Sequence, residues 1–220
     1  RIEGSTTMAS NGSFSAFEEG YPVWYFRGYQ VDHLDEKGNP VFRDNDKNDA
    51  SDKAMIGKPM PDFTYGVTLA ANYKNFDLLV FGNGSVGNDV FMSYSYNHIF
   101  YPLKEIYDQR WTPDGSTNRK YARPQLTNAD KYGLSDAYIF DGSYFRIKQI
   151  QLGYTFPKKL IKHALLENVR VYASLDNFFL FTKYPGLDPE VSSTSTSGMG
   201  VDYGNYPTTK KVVFGLSVTF

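Results

Sequence analysis

The sequence predicts an all-β chain whose strands cross a bilayer, and three observations carry that prediction. Lys210 to Phe220 alternates: Val212, Phe214, Leu216, Val218 and Phe220 share one face, Lys211, Val213, Gly215, Ser217 and Thr219 the other. That length suits a tilted strand, which needs about 9–11 residues to cross a membrane. Phe63 to Tyr73 places Phe63, Tyr65, Val67, Leu69, Ala71 and Tyr73 on one face, aromatic at both ends and aliphatic between. This is the girdle, band and girdle order of a transmembrane β-strand. Finally, long connections alternate with short ones along the chain, as in up-and-down barrels with long outer loops and short periplasmic turns.

Composition narrows the classes further. The 220 residues suit one domain or part of a larger one. With 18 Tyr and 17 Phe, aromatics make up 17% of the chain, which fits girdles or sugar-stacking surfaces. A formal charge of −1 gives no reason to expect a nucleic-acid partner. Mean hydropathy is polar and no apolar run approaches the roughly 18 residues of a membrane helix, which excludes a helical membrane protein but not a barrel. Absence of cysteine removes disulfide, zinc-thiolate and cysteine-nucleophile chemistry together. The opening R-I-E-G-S-T-T-M-A-S lacks the basic and apolar regions of a signal peptide, so an exported protein is expected to carry its amino-terminal part elsewhere.

Taken in order, residues 1–19 are Gly/Ser/Thr-rich and are expected to be a connection on the periplasmic side. Tyr21 to Val31 is a strand by composition, with bulky residues on both faces, in either a soluble core or a barrel wall packed from inside. Residues 32–62 form a polar loop. Phe63–Tyr73 turns through Lys74-Asn75 into Phe76–Gly84, a hairpin. Residues 85–142 hold many aromatics without clear breaks into elements; such a loop would count against an ordinary compact domain, whereas outer loops of barrels are long. Ser143 to Phe156 changes phase between Ile147 and Ile150, which a bulge near Lys148 reconciles. Residues 157–168 include K-K-L-I-K-H-A-L-L, read as a packed turn or as a membrane-surface helix. Val169 to Thr182 is a strand, and 183–209 a loop into the terminal strand. The expected architecture is therefore six antiparallel strands with extracellular loops 32–62, 85–142 and 183–209. Six are fewer than the about eight of the smallest membrane barrels, so the chain is expected to be one section of a larger one.

Several stretches resemble SusC/RagA-type TonB-dependent transporters. They are G-Y-P-V-W-Y-F-R-G-Y (20–29), I-G-K-P-M-P-D-F-T-Y-G (56–66), D-G-S-Y-F-R-I-K-Q-I-Q-L-G-Y-T-F-P (141–157), R-V-Y-A-S-L-D-N-F-F-L-F-T-K-Y-P-G-L-D-P-E-V (170–191) and D-Y-G-N-Y-P-T-T-K-K-V-V-F-G-L-S-V-T-F (202–220). The resemblance implies the carboxy-terminal section of a barrel of about 22 strands in the outer membrane of a Bacteroidetes-type bacterium. It implies import of glycans or peptides with energy passed through TonB and a plug domain that has no counterpart here. It also implies a SusD-like lipoprotein lid and a pair of transporter–lid units. The aromatic ending resembles the address read by the barrel-assembly machinery, with Phe214, Gly215, Val218 and Phe220 in the signal and Val213 departing from its usual polar residue.

Candidate chemistry is sparse. Asp44, Asp46, Asn48 and Asp52 stand at positions 1, 3, 5 and 9 of a calcium-loop pattern, but Asp49 replaces the turn glycine and Met55 the bidentate glutamate. The stretch reads as a solvated acidic loop, with calcium the weaker alternative, and no cofactor is otherwise expected. Tyr107, Arg110, Trp111 and Tyr138 are the candidates for stacking on sugars or peptide backbone; the competing reading is that such aromatics pack the loop or meet the lid. Asp188-Pro189-Glu190 reads as a structural turn. His33, His98 and His163 lack metal-ligand spacing, and no nucleophile elbow, phosphate loop or zinc motif occurs, so no enzyme is expected. The alternatives from other classes are an extracellular carbohydrate-binding β-sandwich and a passive porin-like barrel.

Overall fold

The computed structural model describes residues 9–11, 14–43, 52–93, 95–96, 99–100, 104–114, 120–123, 129–162, 166–190 and 198–220. They fall into two compact units. A strand unit comprises Phe63–Val86, Tyr144–Thr182 and Pro207–Phe220, and a loop unit comprises Arg1–Asp62, Gly87–Ser143 and Lys183–Tyr206.

The strand unit is a five-stranded antiparallel sheet. Its strands are β1 (Phe63–Tyr73), β2 (Phe76–Val86), β3 (Tyr144–Thr155), β4 (Asn168–Thr182) and β5 (Lys211–Thr219), each hydrogen-bonded to its neighbour in chain order. Alternation sorts the side chains of all five onto two faces. One face runs through Leu69, Val80, Ile150, Leu175 and Val212, which stand opposite one another in register. No charged residue occupies any register position on that face. Its side chains project outward, with Phe214 80%, Leu216 67% and Leu69 57% exposed. The other face carries Asp77, Gln151, Arg170, Asp176 and Lys211.

Glycine makes room for aromatic rings on the apolar face. Tyr65, Gly84, Phe145 and Phe181 form one cross-strand row. The Tyr65 and Phe145 rings lie 5.8 Å apart at 4°, and Phe145 and Phe181 follow at 6.4 Å and 23°. A Cβ on Gly84 would come within 2.7 Å of the Tyr65 ring, so the missing side chain lets Tyr65 reach across β2 towards Phe145. The bulge lies where the phase change put it: register shifts between Ile147 and Gln149 against both β2 and β4. Opposite it, Asn177 adopts φ 60°, a left-handed conformation that Asn tolerates.

At the short-connection end, Asn75 Nδ2 donates to Thr155 O at 2.7 Å and Thr155 N donates to Asn75 O at 2.9 Å, tying the β1–β2 turn to β3. The second short connection holds helix α1 (Lys158–Ile161).

Two expectations change. Tyr21 to Val31 is not a sixth wall strand. Tyr25–Gly28 pairs with Ser15–Phe17 and Ala54–Gly57 inside the loop unit, and Val31 begins a separate short strand, Val31–Leu34. The reason is the bulk on both faces: Tyr25 is 2% and Phe26 0% exposed, and four residues cannot cross a bilayer. Within 1–19, read from sequence as a connection, the described residues include the short strand Ser15–Phe17. Ser15–Phe17 belongs to the same unit as the long connections.

The long connections are not structureless either. Asp89–Met92 pairs antiparallel with Ile139–Asp141 and parallel with Val201–Asp202, so segments distant in sequence share a small sheet. Phe26, Phe91, Tyr138 and Val201 form one apolar cluster around it; Val90, Met92, Tyr121, Phe140 and Tyr184 form another. Their aromatic content is core as much as surface.

The ring row yields a direct test. Gly84→Val should destabilise the folded sheet by about 1–3 kcal/mol through overpacking against Tyr65. It should be read as a lower temperature for loss of the compact, heat-modifiable gel band. Ala70→Val on the opposite face is the control and should leave that temperature close to wild type.

Candidate functional site

The loop unit brings some of the predicted residues together and buries others. Tyr107 lies in helix Lys104–Asp108 and is 53% exposed. The Arg110 guanidinium lies 3.6 Å from its ring centroid, and Arg110 Nη1 donates to Tyr107 O. A half-buried guanidinium held over an exposed ring is an arrangement suited to hydroxyls, carbonyls or carboxylates.

The other two candidates do different work. Trp111 packs its ring on Gly38, which takes φ 76° and whose missing Cβ would overlap that ring. Gly38 caps a hairpin tip held by Asp35, whose Oδ1 accepts from Lys37 N at 2.8 Å and Asn39 N at 2.7 Å. Arg123 Nε donates to Asn39 Oδ1 at 3.0 Å. Trp111, half-buried, thus packs on this hairpin tip. Tyr138, 7% exposed, lies in the apolar cluster with Phe26 and Phe91 and is not a surface residue. Burial pushes its hydroxyl well above the ordinary tyrosine value, and that of the adjacent Tyr132 up to about 12. Both stay neutral inside the unit, where Tyr132 Oη accepts from Ala122 N at 2.9 Å.

Asp44, Asp46 and Asn48 lie outside the described residues. Asp52 is half-buried, and among the described residues no group of three or more His, Asp or Glu is placed to hold a metal. Asp188 is buried and accepts from Glu190 N at 3.0 Å, the structural turn expected there.

Several polar anchors had no sequence signal of their own. Tyr184 Oη donates to buried Asp202 Oδ2 at 2.7 Å, and Gly204 N donates to Asp202 Oδ1 at 2.9 Å. Asp89 Oδ2 accepts from Lys58 N at 2.9 Å, while Asp141 stands directly opposite on the paired strand. Burial holds the Asp89 carboxyl above the usual carboxylate range; the Lys58 N–H opposes this, whereas the Asp141 and Asp62 charges add to it.

In the strand unit, Arg170 spans the polar face to Asp77, with Nε–Oδ1 3.0 Å and Nη2–Oδ2 2.6 Å, a bidentate pair. It crosses above Gly153, where a Cβ would stand 2.5 Å from Arg170 Nη2. Tyr172 covers Gly215 in the same way on the next pair of strands. In β5, Gly215 thus serves the polar face while Phe214 and Val218 serve the apolar one.

No protein-family profile matches the chain. Individual relatives do. It is 32% identical over 222 residues to TonB-dependent receptor SusC of Bacteroides thetaiotaomicron, covering 97% of this chain and 21% of that receptor. The chain belongs to the SusC-type TonB-dependent receptors. TonB-dependent receptor P3 of Formosa agariphila is 32% identical over 204 residues, 84% of this chain and 19% of the receptor. This SusC-type chain thus spans about a fifth of the length of the curated relatives it matches. Among solved structures, that of the RagAB peptide transporter matches with TM-score 0.73 at 23% identity, over 97% of this chain and 24% of that one. The closed-closed RagAB peptide importer matches with TM-score 0.71 at 24% identity, over 94% of this chain and 24% of that one. They share the barrel-transporter fold of this SusC-type chain.

Because the Asp89 carboxyl is raised on folding, the folded chain binds a proton more readily than the unfolded one. Stability is then lost as pH rises from the ordinary carboxylate value through the raised one. Thermal unfolding of detergent-solubilised protein between about pH 4 and 7 should show that slope. Asp89→Asn keeps an acceptor for the Lys58 N–H and should flatten it; an unchanged slope would assign the pH dependence elsewhere.

Proposed function

We propose that this chain forms wall and outer loops of a TonB-dependent nutrient importer in the outer membrane of a Bacteroidetes-type bacterium. The observation that supports this reading most is the charge-free, outward-projecting face shared by all five strands. A soluble sandwich would cover such a face with a second sheet; a bilayer covers it with acyl chains. The ends of the strands joined by 74–75 and by 156–167 face the periplasm, and the ends that lead into the loop unit face the exterior. A plug domain coupled to TonB delivers the energy, and a SusD-like surface lipoprotein closes the mouth, in paired transporter–lid units. The role is transport rather than catalysis. The cargo class takes in oligosaccharides and peptides, the latter being the cargo named for the RagAB importer. Tyr107 and Arg110 are the residues offered to cargo or lid. The terminal strand, with Phe214, Gly215, Val218 and Phe220, serves as the assembly signal.

The chain contains no cysteine, so single substitutions report cleanly. In intact cells Tyr107→Cys should react with an impermeant maleimide, whereas Asn75→Cys should react only after the outer membrane is opened. Leu69→Cys should resist the aqueous reagent and react with a lipid-soluble one. Full aqueous labelling at position 69 in membranes would overturn the wall assignment.

Loss of the stacked cation should weaken cargo or lid binding while the barrel stays intact. Arg110→Ala in the full transporter is expected to reduce affinity by roughly 5- to 30-fold with an unchanged heat-modifiable gel shift. Unchanged uptake and lid retention would return Tyr107 and Arg110 to the role of loop packing.

A further inference from the structure

Both members of the Tyr107–Arg110 pair are tied to one buried residue, Tyr121. Its ring is 1% exposed and packs with Val90, Met92, Phe140 and Tyr184. Its backbone holds both flanks of Arg110: Trp111 N donates to Tyr121 O at 2.8 Å, and Tyr121 N donates to Gln109 O at 3.2 Å. Arg110 and Tyr121 accordingly form a parallel bridge. The guanidinium therefore swings from a backbone position that the apolar cluster fixes.

The side chain of Tyr121 reaches the other member. Tyr121 Oη donates to Glu105 Oε1 at 3.3 Å, and Lys120 Nζ donates to the same oxygen at 3.3 Å. The Lys120 ammonium stands 5.0 Å from the Tyr121 ring centroid and 5.5 Å from that of Phe140, which keeps it beside the carboxylate. Glu105 belongs to the five-residue helix that carries Tyr107. A helix so short is marginal alone, so its orientation comes from what it touches. Residues two apart on a helix diverge by about 200°. With Glu105 turned to Tyr121 and Ile106 packed on the two apolar clusters, Tyr107 is turned outward.

We propose that Glu105 and Tyr121 are positioning residues for the Tyr107–Arg110 surface, setting where the guanidinium lies over the ring. The inference rests on the reading above that this surface meets cargo or lid. Neither residue has to touch a partner; both act through Arg110. Glu105→Ala removes the acceptor for Tyr121 and Lys120 together. Tyr121→Phe removes one donor and leaves the ring and both backbone bonds in place. Glu105→Gln keeps an acceptor for both donors and is the conservative rescue.

The probe is phenylglyoxal, an arginine reagent, applied to the natively purified full-length transporter and read at Arg110 by peptide mapping. Glu105→Ala should raise the Arg110 reaction rate by roughly 3- to 10-fold, and Tyr121→Phe by less, as loss of one or two side-chain hydrogen bonds allows. Glu105→Gln should stay near wild type. Arg123, two residues beyond Tyr121 and bonded to Asn39, is the internal control and should keep its rate. An unchanged Arg110 rate in Glu105→Ala overturns the proposal. So does an equal rise at Arg123, which would mean general loosening of the loop unit. Should Glu105→Ala fail to fold, Tyr121→Phe carries the same comparison. Retention of the co-purified lid gives the second readout. Tyr121→Phe should weaken it in the wild-type background and add nothing in Arg110→Ala, because a residue acting through Arg110 has nothing left to act on. A further, additive loss overturns the proposal. If Arg110→Ala itself changes neither uptake nor lid retention, the cargo-or-lid reading fails by itself, and the Arg110 reaction rate still decides the positioning role.

Discussion

Everything in the strand unit depends on one constraint: backbone pairing must continue without a break while one face of the sheet stays free of charge. In water an unpaired N–H finds a solvent partner, but in hydrocarbon it costs several kcal/mol. A strand in a bilayer therefore cannot slip by one residue, because a slip would also turn its apolar side chains inward. The five strands keep register along nearly their full length, and the one departure, between Ile147 and Gln149, is shared by both neighbours of β3. A bulge matched on both sides bends the wall without leaving the two faces mixed. The outer edges of β1 and β5 carry no partner within this sheet. In a membrane such edges call for further strands on both sides, in keeping with a chain that spans about a fifth of its curated relatives.

Glycine is the second requirement, and it acts through close approach. Gly84 admits the Tyr65 ring on the apolar face, while Gly153 and Gly215 admit Arg170 and Tyr172 on the polar face. In each row a bulky side chain on one strand lies over a bare position on the next. A sheet exposed to lipid on one side has no second layer against which to pack. Lateral filling of this kind replaces the interdigitation that a sandwich obtains from its partner sheet.

Much of the wall was legible because its signal is local. Alternation over Phe63–Tyr73 and Lys210–Phe220 needs no knowledge of neighbours, and the phase change at Lys148 located the bulge by counting alone. The error at Tyr21–Val31 has the same root. β-propensity there is real, but bulky residues on both faces mark a core strand as well as a wall strand, and burial of Tyr25 and Phe26 decided between them. Pairs such as Asp77–Arg170 and Tyr184–Asp202 were invisible because they depend on register or on long-range folding of the connections. The surface candidates divided for a related reason. Tyr107 and Trp111 are both aromatic residues in a polar stretch, and only the fold shows that one lies open under Arg110 while the other covers Gly38.

The loop unit explains why long connections need not be loose. A connection of this length loses much conformational entropy on ordering, and only burial offsets that loss. Phe26, Phe91, Tyr138 and Val201 come from four segments separated by long stretches of chain, yet they form one cluster. Paired strands supply the frame. Asp89–Met92 bonds to Ile139–Asp141 on one side and to Val201–Asp202 on the other. Aromatic residues are thus spent twice in this chain, on lipid in the strand unit and on a private core in the loop unit. Only those left over from both, such as Tyr107, remain available to a partner. Total aromatic content is consequently a poor guide to binding capacity here, and the exposed ring with a stacked cation is the informative feature.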